Sequence, residues 1–285
     1  MRAVGIIGLG LIGGSMAKAI KKHTDCTVFG YDASSEVMEQ ALKSHAIDAY
    51  LTDNYDKIDM LLVALYPLDV VDIILDAAQK LNKGCIVTDC TGVKKIVCDV
   101  LSERLSEMGI RFIGGHPMAG KEVSGFTNAC DDLYDGASMI LCRDRFTDEK
   151  ALNEACDFYR RIGFARVTIT TAQEHDKVIA YTSQLAHVVS SAYIKSPTLD
   201  KRYGFSAGSF KDMTRVAKLN EEMWADLFLA NDAALTDEID EIAEHLMEFR
   251  NAIAERDRDE IVSLLREGRI RKEADSDKEE ACKDK

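Results

Sequence analysis

The sequence predicts an α/β protein in two parts, a parallel sheet covered by helices on both faces and then an all-helical domain. Two patterns predict it. Short apolar runs alternate with helical stretches as far as residue 170, as strand–helix–strand units require. Beyond that point no stretch reads as a strand, and helical periodicity takes over.

The elements follow in order. Residues 3–7 (AVGII) are a short apolar run, residues 8–14 a glycine turn, and residues 15–22 a helix. Residues 27–31 (TVFGY) give a second strand, and Ser34 is placed to cap a helix running through Leu42. A third strand covers residues 60–65 and is closed by Pro67, with a helix over 68–81. Residues 85–89 (CIVTD) and 111–114 (RFIG) are the fourth and fifth strands, joined by a helix over 93–108. A sixth strand at 137–142, a helix at 149–162 and a last strand at 165–170 complete the sheet. Helices are then expected over 172–195, 206–219, 221–250 and 257–268, with Pro197 ending the first. This sets the expected organisation: a sheet domain over residues 1–169, a helical domain over 170–272 and a tail over 273–285. The charge run KEADSDKEEACKDK at the end reads as frayed and disordered.

Of 285 residues, 46% are hydrophobic and 30% charged, enough to bury a substantial core. The formal net charge of −13 sets the chain against nucleic acid and anionic membrane surfaces, so neither is expected as a partner. The apolar start MRAVGIIGLGLIGGSMAKAI is broken by five glycines and does not read as a leader. No uninterrupted apolar run reaches the roughly 18 residues that suggest a membrane span. The eight cysteines contain no C-x-x-C pair, so reduced thiols in a cytoplasmic protein are expected, and no metal site.

Gly8-Leu9-Gly10-Leu11-Ile12-Gly13 matches G-x-G-x-x-G and stands where such a turn works, after a strand and opening a helix. The first glycine permits the tight turn, the second lets backbone approach a pyrophosphate, and the third lets helix pack on strand. Unpaired N–H groups at the helix start complete a phosphate site. Asp32 ends the second strand nineteen residues beyond Gly13, where a carboxylate accepts from ribose hydroxyls and repels a 2′-phosphate. A glycine-rich turn with an incidental aspartate would not bring strand, loop, helix and acid into register. NAD is therefore the expected cofactor of a Rossmann-type domain, held by Gly8, Leu9, Gly10, Leu11, Ile12, Gly13, Asp32 and Leu65, which ends the third strand.

Two further segments carry chemistry. Gly114-Gly115-His116-Pro117-Met118-Ala119-Gly120-Lys121-Glu122 follows the fifth strand, at the carboxyl edge of the sheet where ligands bind in such folds. A histidine held there between glycines and a proline is placed for proton transfer near neutral pH. The plainer alternative is a structural loop histidine. Ser209-Phe210-Lys211-Asp212-Met213-Thr214-Arg215 puts Lys211 and Arg215 four apart on one helix face, with Trp224 downstream. In so acidic a chain paired cations suggest an anion site, and the arginine fork suits a carboxylate. The plainer alternative is a solvated helix face. His187, on a largely apolar helix, reads by itself as a satisfied core histidine, and the Met and aromatic stripe over 221–249 as helix packing.

Together these segments resemble the prephenate dehydrogenase family of tyrosine biosynthesis, with its arogenate and cyclohexadienyl relatives. The resemblance covers nearly the whole chain, through GLGLIGGS, TDCTGVK, GGHPMAGKE, TSQLAH, and FKDMTRVA followed by MWADLFLAN. It implies an oxidoreductase that carries out NAD-dependent oxidative decarboxylation of a cyclohexadienyl dicarboxylate. Hydride leaves ring C4 for NAD, the 4-hydroxyl loses its proton, and the ring carboxylate leaves as carbon dioxide. By this resemblance His116 is the catalytic group at the 4-hydroxyl and Arg215 holds a substrate carboxylate. Glu122, His187, Lys211 and Trp224 match positions that line or shape the pocket. A homodimer through the helical domain is also implied, and no fused mutase or ACT module is expected.

The chain departs from the family pattern in two places. Where family members often read D-x-x-S-V-K, this chain has Asp89-Cys90-Thr91-Gly92-Val93-Lys94. Gly92 thus replaces a pocket serine, and Thr91 is the nearest hydroxyl. Where many read S-H-L-P-H, it has Ser183-Gln184-Leu185-Ala186-His187, and Gln184 does not titrate. Two rival readings stand beside the resemblance. A β-hydroxyacid dehydrogenase would use a lysine on the long helix after the first domain, where Lys177 and Lys195 lack the glycine-rich context. A non-catalytic NAD-binding regulator would keep the glycines and Asp32 but has no use for His116 with Arg215. Prephenate and arogenate differ only at the side chain, as keto or amino, and both stay open as the substrate.

Overall fold

The computed structural model describes residues 1–121 and 123–283. Its strands are β1 (Ala3–Ile7), β2 (Thr27–Tyr31), β3 (Ala49–Tyr50), β4 (Met60–Val63), β5 (Ile86–Asp89), β6 (Arg111–Met118), β7 (Ser138–Cys142) and β8 (Arg166–Thr170). They form one sheet in the order β3-β2-β1-β4-β5-β6-β7-β8. The first six run parallel, and β1, β4 and β5 are buried along their whole length, as the continuous apolar runs require. β7 departs from the expected parallel sheet. It pairs antiparallel with β6, and β8 follows it in parallel, so the last two strands run against the other six. The connection explains this, because a single 3₁₀ turn at Phe126–Asn128, not a crossover helix, separates β6 from β7.

Five helices cover the sheet: α1 (Leu11–His23), α2 (Ser35–Lys43), α3 (Pro67–Ala78), α4 (Lys95–Glu107) and α5 (Glu149–Arg161). Alternate strand residues supply two separate cores. Val4, Ile6 and Leu62 pack with Met16, Met38 and Leu152, while Ile7, Leu61 and Val63 pack with Ile74 and Leu101. Ser34 caps α2 as expected, accepting from the Val37 N–H. α1 begins four residues before the expected start at Ser15. Pro67 opens α3 at its first turn, where its absent N–H costs nothing. β6 runs on past Gly114 to Met118, so His116 is a strand residue opposite Ile140 of β7 and not a loop histidine.

Beyond the sheet come α6 (Ala172–Ile179), a π-helical turn at Ala180–Gln184, α7 (Leu185–Tyr193), α8 (Gly208–Thr214), α9 (Glu221–Leu229), α10 (Asp232–Glu255) and α11 (Arg258–Lys283). By packing, the chain divides into Met1–Ala234 and Leu235–Lys285. The step at 169/170 is thus a change from sheet to helix, and α6 to α9 belong to the compact unit that contains the sheet. The helix expected over 221–250 breaks before Asp232, where Asn231 turns inward to bond the Asp176 carbonyl and the Gln184 side chain. Residues 273–283, expected as a frayed tail, continue α11, which is laced by Arg269–Glu273, Arg271–Glu267 and Lys272–Asp275 pairs. Among the described residues no helix is long and apolar enough to cross a membrane.

One charged pair lies wholly inside the sheet unit. Lys94 and Asp89 have no exposed side-chain surface and bond directly to each other. Removing one partner of such a pair strands the other charge in a low-dielectric interior, at a cost of about 3–5 kcal/mol. Lys94→Met should therefore lower the unfolding free energy by about that amount in urea titrations. Adding Asp89→Asn should restore part of it. A Lys94→Met protein as stable as the parent would show that the pair is not buried as described.

Candidate active site

Four strands end side by side at the carboxyl edge of the sheet. Ile7 pairs with Val63 and Val63 with Asp89, and the Asp89 side chain accepts from the Gly115 N–H at 3.1 Å. Gly8, Ala64, Cys90 and His116 thus open onto one edge.

At the β1 end, Gly8 takes φ +87°, and a Cβ there would lie 2.4 Å from the Ala64 carbonyl oxygen. A Cβ at Gly13 would lie 1.8 Å from the Gly8 carbonyl oxygen, so α1 starts directly on the strand end, and its early start follows. Gly10 has open space where its Cβ would be, as a backbone facing a ligand requires. No side chain caps α1, and its first turn holds no acidic residue. Leu9 sends its side chain into the core, and Leu11 is buried, so this stretch offers backbone N–H groups. Leu65 and Ile12 are half-buried beside them. Asp32 is oriented by two backbone groups, accepting from Leu9 N at 2.8 Å and Ser34 N at 2.9 Å. This cradle fits a dinucleotide: open backbone for the pyrophosphate, and a fixed carboxylate at the end of β2 for the ribose.

Further along the edge, His116 Nδ1 lies 2.9 Å from Nε2 of His175. His175 Nδ1 lies 2.6 Å from an oxygen of Asp176. The Asp176 carboxylate in turn accepts the Lys94 and Lys95 N–H groups at 2.7 and 2.8 Å. Those amides open α4, which has no side-chain cap of its own, so Asp176 of α6 supplies the negative charge that this helix start favours. Burial pushes the His116 pKa well below the usual imidazole range, and the charges of His175 and Lys94 push the same way. His175 is lowered too, chiefly by burial, with Asp176 opposing. Both rings are therefore neutral at neutral pH.

A Cβ at Gly92 would lie 3.9 Å from both Cε1 and Nε2 of His116, and 3.4 Å from Leu227 of α9. The Cε1–Nε2 edge of the ring thus faces Gly92, where a methyl would make ordinary contact with it. Thr91 is engaged elsewhere. Its hydroxyl lies 2.5 Å from Asp89 and 2.9 Å from the Val93 carbonyl, and the residue is buried. The buried Asp89 that pairs with Lys94 thus also holds that hydroxyl. The wall beyond Leu227 is built by α9 and α7. Trp224, one turn before Leu227, stacks on His187 with ring centroids 3.7 Å apart, and His187 Nδ1 lies 3.1 Å from the Val216 carbonyl. His187 is thus half-buried and partnered by Trp224 and Val216, and not an isolated core histidine. Gln184 bonds the Leu227 carbonyl at 3.0 Å and Asn231 at 2.7 Å, so it ties the π-helical turn to the end of α9. Lys211 and Arg215 are both exposed; Lys211 lies in α8, which stops at Thr214, and Arg215 opens a 3₁₀ turn. Arg215 precedes Val216, the partner of His187. Glu122 lies outside the described residues.

Sequence reasoning gave no role to His175, Asp176, Asp89, Lys94 and Asn231. A signal existed for the first pair. His175 stands four before Ile179 and Asp176 four before Ala180, so both polar residues fall on the apolar stripe of α6, where a buried polar group needs a partner.

A dinucleotide cradle and a neutral histidine on one sheet edge define the class: a nicotinamide-dependent dehydrogenase. The family model described as prephenate dehydrogenase, nucleotide-binding domain, matches residues 16–169, and the one described as prephenate dehydrogenase, dimerization domain, matches residues 171–267. The chain belongs to the prephenate dehydrogenase family and is an NAD-dependent oxidoreductase. A cyclohexadienyl dehydrogenase of Zymomonas mobilis is 35% identical over 277 residues, covering 93% of this chain and 92% of its own. A prephenate dehydrogenase of Lactococcus lactis is 32% identical over 281 residues, covering 94% of this chain and 76% of its own. The crystal structure of Aquifex aeolicus prephenate dehydrogenase, in complex with hydroxyphenyl propionate and NAD+, superimposes with a TM-score of 0.86 at 30% identity, covering 96% of this chain and 98% of that one.

The cradle makes cofactor choice testable. NAD should be used at least about tenfold more efficiently than NADP, because a 2′-phosphate would meet the Asp32 carboxylate. Asp32→Ser should narrow that ratio in steady-state kinetics. Equal use of both cofactors by the unmodified protein would remove Asp32 from this role.

Proposed function

We propose that the chain catalyses the oxidative decarboxylation of prephenate to 4-hydroxyphenylpyruvate, with His116 as the base at the 4-hydroxyl and Arg215 as a carboxylate anchor. The observation that carries this reading is a histidine on the same sheet edge as the dinucleotide cradle, with Nδ1 engaged by His175 and its Cε1–Nε2 edge beside Gly92. The 4-hydroxyl gives its proton to His116 as the C4–H bond breaks, and NAD supplies the hydride acceptor. Loss of the ring carboxylate as carbon dioxide then leaves its electron pair to aromatise the ring, and the proton on His116 returns to the phenolate oxygen. The Aquifex protein's ligand, hydroxyphenyl propionate, carries a phenol at one end and a carboxylate at the other, the pattern of the proposed product.

The rivals fare worse. Lys177 and Lys195, which a β-hydroxyacid dehydrogenase would need at the edge, are both exposed. A regulator that only bound NAD would have no use for a buried His116–His175–Asp176 chain. We assign NAD binding to residues 1–169 and substrate contact and homodimerisation to 170–272. Exposed Leu246, Met247, Ile253 and Leu265 support a subunit contact there. Unpaired buried thiols at Cys85, Cys98 and Cys142 fit a reducing, cytoplasmic setting.

Mixing the protein with NAD and prephenate, and with arogenate in parallel, should generate NADH from prephenate. Absence of NADH would sink the reading. His116→Asn should cut kcat by about 10²–10⁴ while NAD affinity holds. A group whose pKa lies below its ordinary value stays unprotonated to lower pH, so kcat/KM for prephenate, which reports the free enzyme, should persist below pH 6.5 and fall only beyond it. A midpoint at or above that value would contradict the assignment. Arg215→Ala should raise KM for prephenate by roughly ten- to several-hundredfold, the worth of a charge-assisted bond, with KM for NAD unchanged. Arg215→Lys should recover part of the loss, since an ammonium lacks the planar fork. An unchanged prephenate KM in Arg215→Ala would make Arg215 a solvated helix residue.

A further inference from the structure

We propose that His175 and Asp176 are positioning residues that decide which nitrogen of His116 is the base. This rests on the reading of His116 as the proton acceptor. The argument runs outward from Asp176. Both of its oxygens accept backbone N–H groups of Lys94 and Lys95, so the carboxylate acts only as an acceptor. His175 Nδ1, 2.6 Å from that carboxylate, must therefore carry its hydrogen. A neutral imidazole has one ring hydrogen, so His175 Nε2 is a bare lone pair. That lone pair lies 2.9 Å from His116 Nδ1, and two bare nitrogens would repel at this distance, so His116 Nδ1 donates. His116 Nε2 is then bare, on the ring edge that faces Gly92.

In water a neutral histidine prefers its hydrogen on Nε2, the form that would leave no acceptor for the 4-hydroxyl proton. The chain from α4 through α6 to β6 imposes the opposite form. The other charged groups nearby do not compete for Asp176. Lys94 Nζ is bound to Asp89 and to the Gly115 carbonyl, and Lys95 Nζ reaches out to Asp99. Reversing the chain would require a proton on Asp176, where the start of α4 favours a negative charge. Once His116 has taken the substrate proton, its Nδ1–H points at a neutral acceptor backed by a carboxylate, which stabilises the new cation.

The test reads the hydrogen directly. Nitrogen-15 NMR of the full-length protein at pH 8, with His116 assigned by its loss in His116→Asn, should show Nε2 unprotonated and Nδ1 protonated. In His175→Leu the hydrogen should shift toward Nε2, and kcat with prephenate should drop about ten- to a hundredfold, less than losing the base itself, at unchanged KM for NAD. His175→Gln can present its amide oxygen to His116 Nδ1, so it should restore the unprotonated Nε2 and much of kcat. This variant also decides the matter if His175→Leu does not fold, since a Gln protein with Nε2 protonated would contradict the proposal. A protonated Nε2 in the unmodified protein overturns the proposal, as does a folded His175→Leu protein that keeps both tautomer and kcat. Failure to turn over prephenate would sink the substrate reading alone, because the nitrogen shifts report the tautomer without substrate.

Discussion

The contact on which this site depends is the Asp176 carboxylate seated on the first amides of α4. It does three things at once. It caps a helix that has no cap of its own, with Lys94 and Lys95 N–H groups at 2.7 and 2.8 Å. It ties the start of α6 to the start of α4. It also orients His175 and, through it, His116. Each role draws on one property, a charge that must be satisfied where water is excluded. Such an arrangement resists piecemeal change, since removing any member leaves a buried group without its partner.

A second buried charge acts in parallel. Asp89 accepts from the Lys94 ammonium, the Thr91 amide and hydroxyl, and the Gly115 amide. It joins the end of β5 to the middle of β6, next to His116. The Thr91 hydroxyl, nearest in sequence to Gly92, is bonded to Asp89 and to the Val93 carbonyl. With Gln184 bonded to Leu227 and Asn231, the loss of a histidine there replaces a titrating group by a structural tie.

How much of this could be read beforehand follows from the range of each interaction. The strands and the cofactor turn rest on local rules: apolar runs, glycine spacing, and an acid at a fixed distance. Those placed Gly8, Gly10, Gly13 and Asp32 together, and the structure brings them together. Element ends were less legible, because tertiary contacts set them. β6 runs on through His116 since β7 pairs with it, and the helix expected past Leu229 breaks since Asn231 turns inward. The antiparallel β7 depended on the absence of a crossover helix, which apolar periodicity does not encode. The histidine–aspartate chain was the least legible, since 59 residues separate His116 from His175 and no local pattern joins them.

The electrostatics of the edge then close on a single balance. Burial and nearby positive charge hold His116 neutral, which suits a base but would also weaken it as a proton acceptor. On the proposed reading, the missing basicity arrives with the substrate. A dianion docked beside the ring favours the imidazolium, reversing part of the shift that burial imposes. Arg215, if it takes one carboxylate, offsets some of that charge, while the carboxylate about to depart keeps its own. The ring is therefore least basic when the site is empty and most basic when the hydroxyl is in place. His175 and Asp176 make that gain usable, because added basicity matters only at a nitrogen that already lacks its hydrogen.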